Sequence, residues 1–293
     1  MTTILIKLYS KLCVWFPGFR KISRKLMYEV IGSYLKQDDW TFMNYGYAYL
    51  DGNKNQPVLD RTDEGKRLSY QLYNHLACEI ELEGKHILEV GSGRGGGASM
   101  IKKYHKPEKI VGLDFSSAAV KLSRRNLSTR GLAFIEGDAE NIPFSAESFD
   151  AVINVESSHC YFSMNNFLNE VNKVLRPGGH FLFTDFREHN EIEELERLIS
   201  VSGLEVLKKR DITPNIIKAL DEDHDRRMKT ITQNVPKPFL KQFREFAGVK
   251  DSVVYNRLWN GELIYISMIM RKPLQNPAPL GIYETHLNHS HCK

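Results

Sequence analysis

Lys85-His-Ile-Leu-Glu-Val-Gly-Ser-Gly-Arg-Gly-Gly-Gly97 is the stretch from which the rest of this 293-residue chain can be read. Its apolar run, Ile87 to Val90, reads as a short buried parallel strand that empties directly into a glycine loop. Beyond the loop, Ala98, Met100 and Ile101 form the apolar side of an opening helix. Glycine serves where the backbone turns tightly and where a ligand must come close to it. A helix start presents unpaired N–H groups and a partial positive charge to whatever sits there.

The neighbours of the loop narrow its use. Glu89 stands just before it, and no Lys-Ser or Lys-Thr pair of the phosphate-binding type follows. A second apolar strand, Ile110-Val-Gly-Leu-Asp114, ends in an acid. An acid there can bind the two hydroxyls of a ribose. A third run, Ala133-Phe-Ile-Glu-Gly-Asp-Ala-Glu140, ends in acids again. Such a series suits a ligand with a ribose and an exocyclic amine but no phosphate.

The pattern E-V-G-S-G-R-G-G-G, then G-L-D, then G-D-A-E-N-I-P-F, resembles the class I S-adenosylmethionine-dependent methyltransferases. The resemblance continues through Phe149-Asp-Ala-Val-Ile-Asn-Val-Glu156 and Val174-Leu-Arg-Pro-Gly-Gly-His-Phe-Leu-Phe-Thr-Asp185. It implies an α/β fold with a doubly wound, mostly parallel seven-stranded sheet of Rossmann-like type, and S-adenosyl-L-methionine as cofactor. Carried onto this chain, it brings Gly91, Gly93 and Gly95 to the methionine moiety and turns Glu89 towards its amine. Asp114 would take the ribose and Phe115 stack near the adenine. Asp138 would accept from the adenine amine, Ala139 offer its backbone N–H, and Asn154 contact the aminoacyl end.

Composition is that of a globular protein with a sizeable core. The net charge of +4 is unevenly placed: residues 1–36 carry seven Lys and Arg against Glu29 alone. The remainder is slightly acidic, which argues against a nucleic-acid binder. Four scattered cysteines show no metal spacing and read as reduced thiols, so no metal is expected. Lys7 and Lys11 interrupt any signal-peptide core, and no apolar stretch is long enough to span a bilayer. The expectation is a cytoplasmic protein.

Taken in order, residues 1–36 hold two amphipathic helical patterns broken at Pro17-Gly18. They read either as an interfacial membrane contact or as a cap over the site. Residues 37–84 are an approach segment. Its aromatic stretch Trp40-Thr-Phe-Met-Asn-Tyr-Gly-Tyr-Ala-Tyr49 resembles a lid over the methionine end, with Tyr45 as a cofactor contact. Electron-rich rings suit a sulfonium. Residues 67–82 read as a helix with Leu68, Leu72, His75, Leu76 and Ile80 inward.

The core, 85–272, alternates strands at 86–90, 109–113, 132–136, 149–155 and 179–185 with helical patterns, so a parallel sheet covered on both faces is expected. Arg176-Pro-Gly-Gly179 reads as a turn. A sixth strand spans 204–212 and a last one Leu263 to Met270, with a helical lid insertion at 213–260 between them. In the insertion, Asp221-Glu-Asp-His-Asp-Arg-Arg227 reads as a solvated helix face. Residues 273–293 are expected to be a disordered tail.

Methyl transfer from a sulfonium is a backside displacement, and an alcohol acceptor needs a base for its proton. Val155-Glu-Ser-Ser-His-Cys-Tyr161 follows the fourth strand at the edge where open α/β sheets bind ligands. His159 falls where small-molecule O-methyltransferases of this kind place a catalytic histidine. Asp185, ending the fifth strand, would fix its tautomer and stabilise the imidazolium. Tyr161 and Arg187 are candidates for shaping the acceptor site. His75 and His105 read as structural, and Glu156 as supporting or solvated.

Taken whole, the chain is similar to the phthiotriolone and phenolphthiotriolone dimycocerosates methyltransferase family of mycobacteria. L-E-V-G-S-G-R-G-G-G-A-S, N-V-E-S-S-H-C-Y and D-F-R-E-H-N-E-I carry that likeness. The resemblance implies O-methylation of a hydroxyl on a lipid, polyketide or similar apolar molecule. The many Lys, Asn and Ile depart from a high-GC mycobacterial composition, so the acceptor stays open, as does the oligomeric state. Carbon or nitrogen methylation of a sterol- or quinone-like molecule uses the same core. A catalytically silent cofactor-binding partner would be signalled by loss of Gly93 or Asp114, and both are present.

Overall fold

The computed structural model describes residues 41–51 and 56–274. The amphipathic segment at 1–36 and the tail from 275 lie outside the described residues. Strands β1 (His86–Val90), β2 (Lys109–Asp114), β3 (Leu132–Glu136), β4 (Phe149–Val155), β5 (Leu175–Glu188), β6 (Glu205–Asp211) and β7 (Leu263–Arg271) form one sheet, in the order β3-β2-β1-β4-β5-β7-β6. Strands β1 to β5 pair in parallel, and β7 runs antiparallel between β5 and β6. This is the expected mostly parallel seven-stranded, doubly wound sheet.

Parallel strands need crossover connections, and helices cover both faces. They are α1 (Arg67–Ala77), which precedes β1, and α2 (Gly96–His105), α3 (Ser117–Leu127), α4 (Met164–Val174) and α5 (Ile192–Val201). Side chains alternate between two cores. Ile87 joins Tyr70, Leu76 and Ile101 on one face, while Leu88 and Val90 join Phe167, Val171 and Phe181 on the other. Successive strands progress outwards from β1 through β2 to β3, then return to its other side at β4. The crevice beyond the ends of β1 and β4 is therefore a topological switch point, where such sheets bind ligands.

Three elements differ from the sequence reading. Helix α1 ends at Ala77 rather than 82, and Leu82 turns back into the core. Burial on α1 also extends beyond its apolar stripe: Ser69 to Asn74 are all buried. The sheet covers one side, and the 41–51 segment covers another through Asn44 Nδ2 to Ser69 O (3.0 Å) and Tyr47 N to Leu68 O (2.9 Å). At β5, the expected turn lies inside the strand. Leu175 pairs with Phe149 and His180 with Ala151, so residues 176–179 bulge between them, Gly178 at φ +79°. Gly178 N donates to Lys272 O and Lys272 N to Gly179 O, drawing the bulge into the ladder.

The 213–260 insertion is helical, as α6 (Thr213–Glu222), α7 (His224–Asn234), α8 (Leu240–Phe246) and α9 (Val253–Trp259). Its acidic stretch is not simply a solvated face. Asp223 is buried and pairs with Arg226 and Arg227. Arg227 in turn donates to Ala247 O (2.9 Å), Asn44 O (3.0 Å) and Tyr45 O (3.1 Å), tying the insertion to the aromatic segment.

Candidate active site

A cavity of about 760 Å³ opens at the switch point. Its floor is the glycine loop and the turn after β4, and its roof is the 41–45 segment with Phe246 from α8. At one end, Gly91 and Gly93 line it with Asp114, Phe115, Asp138 and Ala139. Asp114 Oδ2 accepts from Gly93 N (2.7 Å) and Oδ1 from Ser116 N (2.8 Å), so the acid locks the loop while facing the cavity. Gly91 stands at φ +76°, and a Cβ there would lie 2.2 Å from Ser157 Oγ; glycine alone fits.

Three expected cofactor contacts sit off the cavity wall. Gly95 faces the Phe134 ring and Ser123 behind the loop. Glu89, on the same sheet face as Ile87, points beneath the loop towards Tyr73 and Gly97. Asn154 lies under the floor, its Nδ2 donating to Val90 O, Ser157 Oγ and Tyr161 OH (2.8–2.9 Å). Glu89 Oε1 and Oε2, Ser92 Oγ and Asn154 Oδ1 are buried without a hydrogen-bond partner among the described residues. Burial pushes the Glu89 carboxyl up to about 8, even with Tyr73 and Ala98 N–H beside it. Unpaired buried polar atoms are costly. Four of them around one glycine loop fit a ligand bearing an amine and hydroxyls, as S-adenosylmethionine does.

At the other end stands His159, in a 3-10 turn at Ser158–Cys160. Its Nδ1 lies 2.8 Å from Asp185 Oδ1, and its own N–H donates to Asp185 Oδ2 (2.9 Å). Asp185 is fully buried and accepts further from Ser158 Oγ (2.6 Å) and Phe186 N (2.9 Å), with Arg187 Nη1 at 3.2 Å. Burial would raise its pKa, but the imidazole and the Arg187 guanidinium hold the carboxyl well below the usual range. An acceptor-only carboxylate requires the proton on His159 Nδ1, which leaves Nε2 as the exchangeable site. Burial lowers the His159 pKa, and Asp185 together with the neighbouring Cys160 thiol more than offsets it, pushing the imidazole up to about 10.

Arg187 is occupied with Asp185, Ser158 Oγ (2.6 Å) and Phe186 O (2.7 Å), so it supports the pair rather than lining the cavity. Tyr161 lines the floor beside Asn154 and Ser157. The Phe186 ring stacks on His159 (centroids 4.3 Å) and on Tyr45 (5.9 Å), so Tyr45 belongs to this end. His75 is structural, as expected: it bonds Ser267 Oγ at 2.9 Å, and burial pulls it down to about 4. Sequence reasoning missed two contributors. Phe246 and Tyr265 come from the insertion and last strand, with no motif to mark them. Glu156, read from the sequence as supporting or solvated, directly follows the fourth strand. It lines the cavity at φ +48°.

A glycine-floored cavity beside a histidine–carboxylate pair is an arrangement a methyltransferase could use. A methyltransferase domain family matches residues 88–183. The chain is 40% identical to the fatty-acid O-methyltransferase of Mycolicibacterium smegmatis, over 77% of this chain and 81% of that protein. It is 37% identical to the phthiotriol/phenolphthiotriol dimycocerosates methyltransferase of Mycobacterium tuberculosis, over 79% and 85%. Geranyl diphosphate C-methyltransferase from Streptomyces coelicolor A3(2), solved with S-adenosyl-L-homocysteine, shares the fold at a TM-score of 0.60 and 16% identity, over 84% and 97%. The chain belongs to the class I S-adenosylmethionine-dependent methyltransferases, in the family of the phthiotriol dimycocerosates and fatty-acid methyltransferases.

Proposed function

We propose that the protein is an O-methyltransferase for a hydroxyl of a lipid, polyketide or similar apolar small molecule, with His159 as general base paired to Asp185. The observation that carries this reading is the 2.8 Å bond between His159 Nδ1 and the fully buried Asp185, with the imidazole on the cavity wall. In the neutral ring Asp185 holds the tautomer that leaves Nε2 free to take a proton. Phe186, stacked on the imidazole and on Tyr45, sets the plane of the ring. The relatives named for fatty acid and phthiotriol support a lipid acceptor.

When bound, S-adenosylmethionine supplies an electrophilic methyl on its sulfonium. Gly91, Gly93 and Asp114 would hold it, with Glu89 compensating its amine through the loop, Phe115, Asp138 and Ala139 around the adenine, Asn154 near the aminoacyl end, and Tyr45 over the methionine. The acceptor hydroxyl would approach His159 Nε2 from the cavity, past the edge of Phe186, and Nε2 of the neutral ring would receive its proton as the O–C bond forms. Residues 1–36, with their basic amphipathic pattern, are proposed as a peripheral membrane contact of a cytoplasmic enzyme that meets its acceptor at a lipid surface.

The test is incubation of the purified protein with methyl-labelled S-adenosylmethionine and a lipid extract of its source, comparing wild type with His159→Ala. Label in an apolar product that disappears in the variant is the expected result, and mass spectrometry then identifies the acceptor. Equal labelling by the variant removes His159 from the mechanism.

A further inference from the structure

We propose that Arg187 is a positioning residue for His159: by sharing the charge of Asp185, it limits how tightly the imidazole is held in its protonated form. The inference deepens the general-base reading, on which its consequence for the rate rests.

Asp185 and Arg187 are two residues apart on β5, so their side chains leave the same face of the strand. The two carboxylate oxygens of Asp185 are divided between partners. Oδ1 accepts from Phe186 N (2.9 Å) and lies 2.8 Å from His159 Nδ1. Oδ2 accepts from Ser158 Oγ (2.6 Å) and His159 N (2.9 Å), with Arg187 Nη1 at 3.2 Å. Arg187 Nη2 donates to the same Ser158 Oγ (2.6 Å), which closes a ring of three side chains. Nη1 also donates to Phe186 O (2.7 Å), and the Phe183 ring lies 5.9 Å from the guanidinium carbon.

This anchoring fixes a second cation beside a carboxylate that the imidazole already uses. Arg187 is 9% exposed and does not line the cavity, so it acts on the chemistry through the pair. Charges add, and at the imidazole the guanidinium cancels part of the field of Asp185. Water screens buried charges little. A nearby like charge disfavours the imidazolium, so the proton leaves His159 at a lower pH than Asp185 alone would allow. Burial lowers the imidazole, while Asp185 and the Cys160 thiol lift it to about 10. Arg187 keeps it from rising further.

Five other titratable groups face the pair. Glu156, Cys160 and Tyr161 follow β4, Tyr45 comes from the roof and Tyr265 from β7. Burial raises all three phenols well above their ordinary value. Glu156, lifted by burial to about 7, ionises below the range in which His159 titrates. All five are common to the proteins compared below, so a difference between those proteins reports the guanidinium.

The test is nitrogen-15 NMR of the full-length protein with labelled histidine and S-adenosylhomocysteine bound, between pH 6 and 11. His159 is identified by the signal lost in His159→Gln. Arg187→Gln keeps amide donors for Ser158 and Phe186 but removes the charge, and Arg187→Met fills the space without donors. In whichever of the two folds, the neutral fraction of His159 at a given pH should be about tenfold smaller than in wild type. Arg187→Lys, which returns a cation to the site, should recover most of it. A neutral fraction that stays level or grows overturns the proposal, as does a Lys variant that behaves like the uncharged ones. Label transferred from S-adenosylmethionine to octadecan-2-ol at pH 8 should fall by the same factor. Acceptor KM and cofactor affinity should hold, a split that general damage to the fold would not give. A tenfold loss of neutral imidazole with an unaltered rate sinks the general-base reading and leaves the assignment of Arg187 in place.

Discussion

His159 Nδ1 and Asp185 Oδ1 stand 2.8 Å apart, joining the turn after β4 to the adjacent strand β5. The carboxylate holds the imidazole protonated far above the ordinary histidine range, with a pKa of about 10. Only the neutral ring can accept a proton. Methylation of a hydroxyl should therefore rise with pH, roughly tenfold per unit, until it levels near pH 10. Asp185→Asn removes the charge that favours the imidazolium, so the level region should begin near or below pH 7. The rate reached there should be about a hundredfold lower or less, because the tautomer is no longer held. Initial rates between pH 6 and 10 for both proteins check this; a profile unchanged by the substitution would disprove it.

Glu89 carries a buried carboxylate whose pKa is raised by burial to about 8. An acid raised in the folded state binds more protons than in the unfolded chain, so its stability contribution falls as pH rises from about 4.5 to 8. Glu89→Gln should remove that fall and stabilise the cofactor-free protein at pH 8 by about 1 kcal/mol or more. The same change should weaken S-adenosylmethionine binding about tenfold, because the amine loses its counter-charge. Urea midpoints and titration calorimetry measure the two effects, and they should have opposite signs.

Arg227 holds Asp223 and three backbone carbonyls, two of them in the aromatic segment. Arg227→Ala leaves a buried carboxylate with one partner fewer and the carbonyls unpaired. A loss of about 2–4 kcal/mol is expected. Because Asn44 and Tyr45 lose their tie, protease cleavage near residues 41–51 should accelerate. Normal resistance there would show that the segment is held from elsewhere.

Gly97, in the first turn of α2, lies under the Tyr73 ring. A Cβ would lie 2.1 Å from that ring and 2.6 Å from Glu89 Oε1. Gly97→Ala should cost about 1–3 kcal/mol by overpacking and displace Glu89. The thermal midpoint should fall, and cofactor affinity with it. Substitution of Gly65, which has open space around it, should change neither.

Strands β1 to β4 were legible because each is a short, mostly apolar run ended by glycine or an acid, and those features are local. Every expected strand from 86–90 to the last one appears within a few residues of its place. The exceptions come from pairing: β5 runs three residues past Asp185, because β7 offers partners as far as Leu263. Helix α1 is buried beyond its expected apolar stripe for a similar reason. The segment at 41–51 covers the side that an isolated helix would show to water.

The chain's own order of residues determined the sheet, the glycine loop and the acids at the strand ends, since strand and loop chemistry act over a few neighbours. The meeting of His159 with Asp185 was also implied, because consecutive parallel strands bring their ends to one edge. Only the tertiary structure decided what stands around them. Tyr45, Glu156, Arg227, Phe246 and Tyr265 are separated by up to 220 residues, from Tyr45 to Tyr265. They converge through burial and hydrogen bonds that no local pattern encodes.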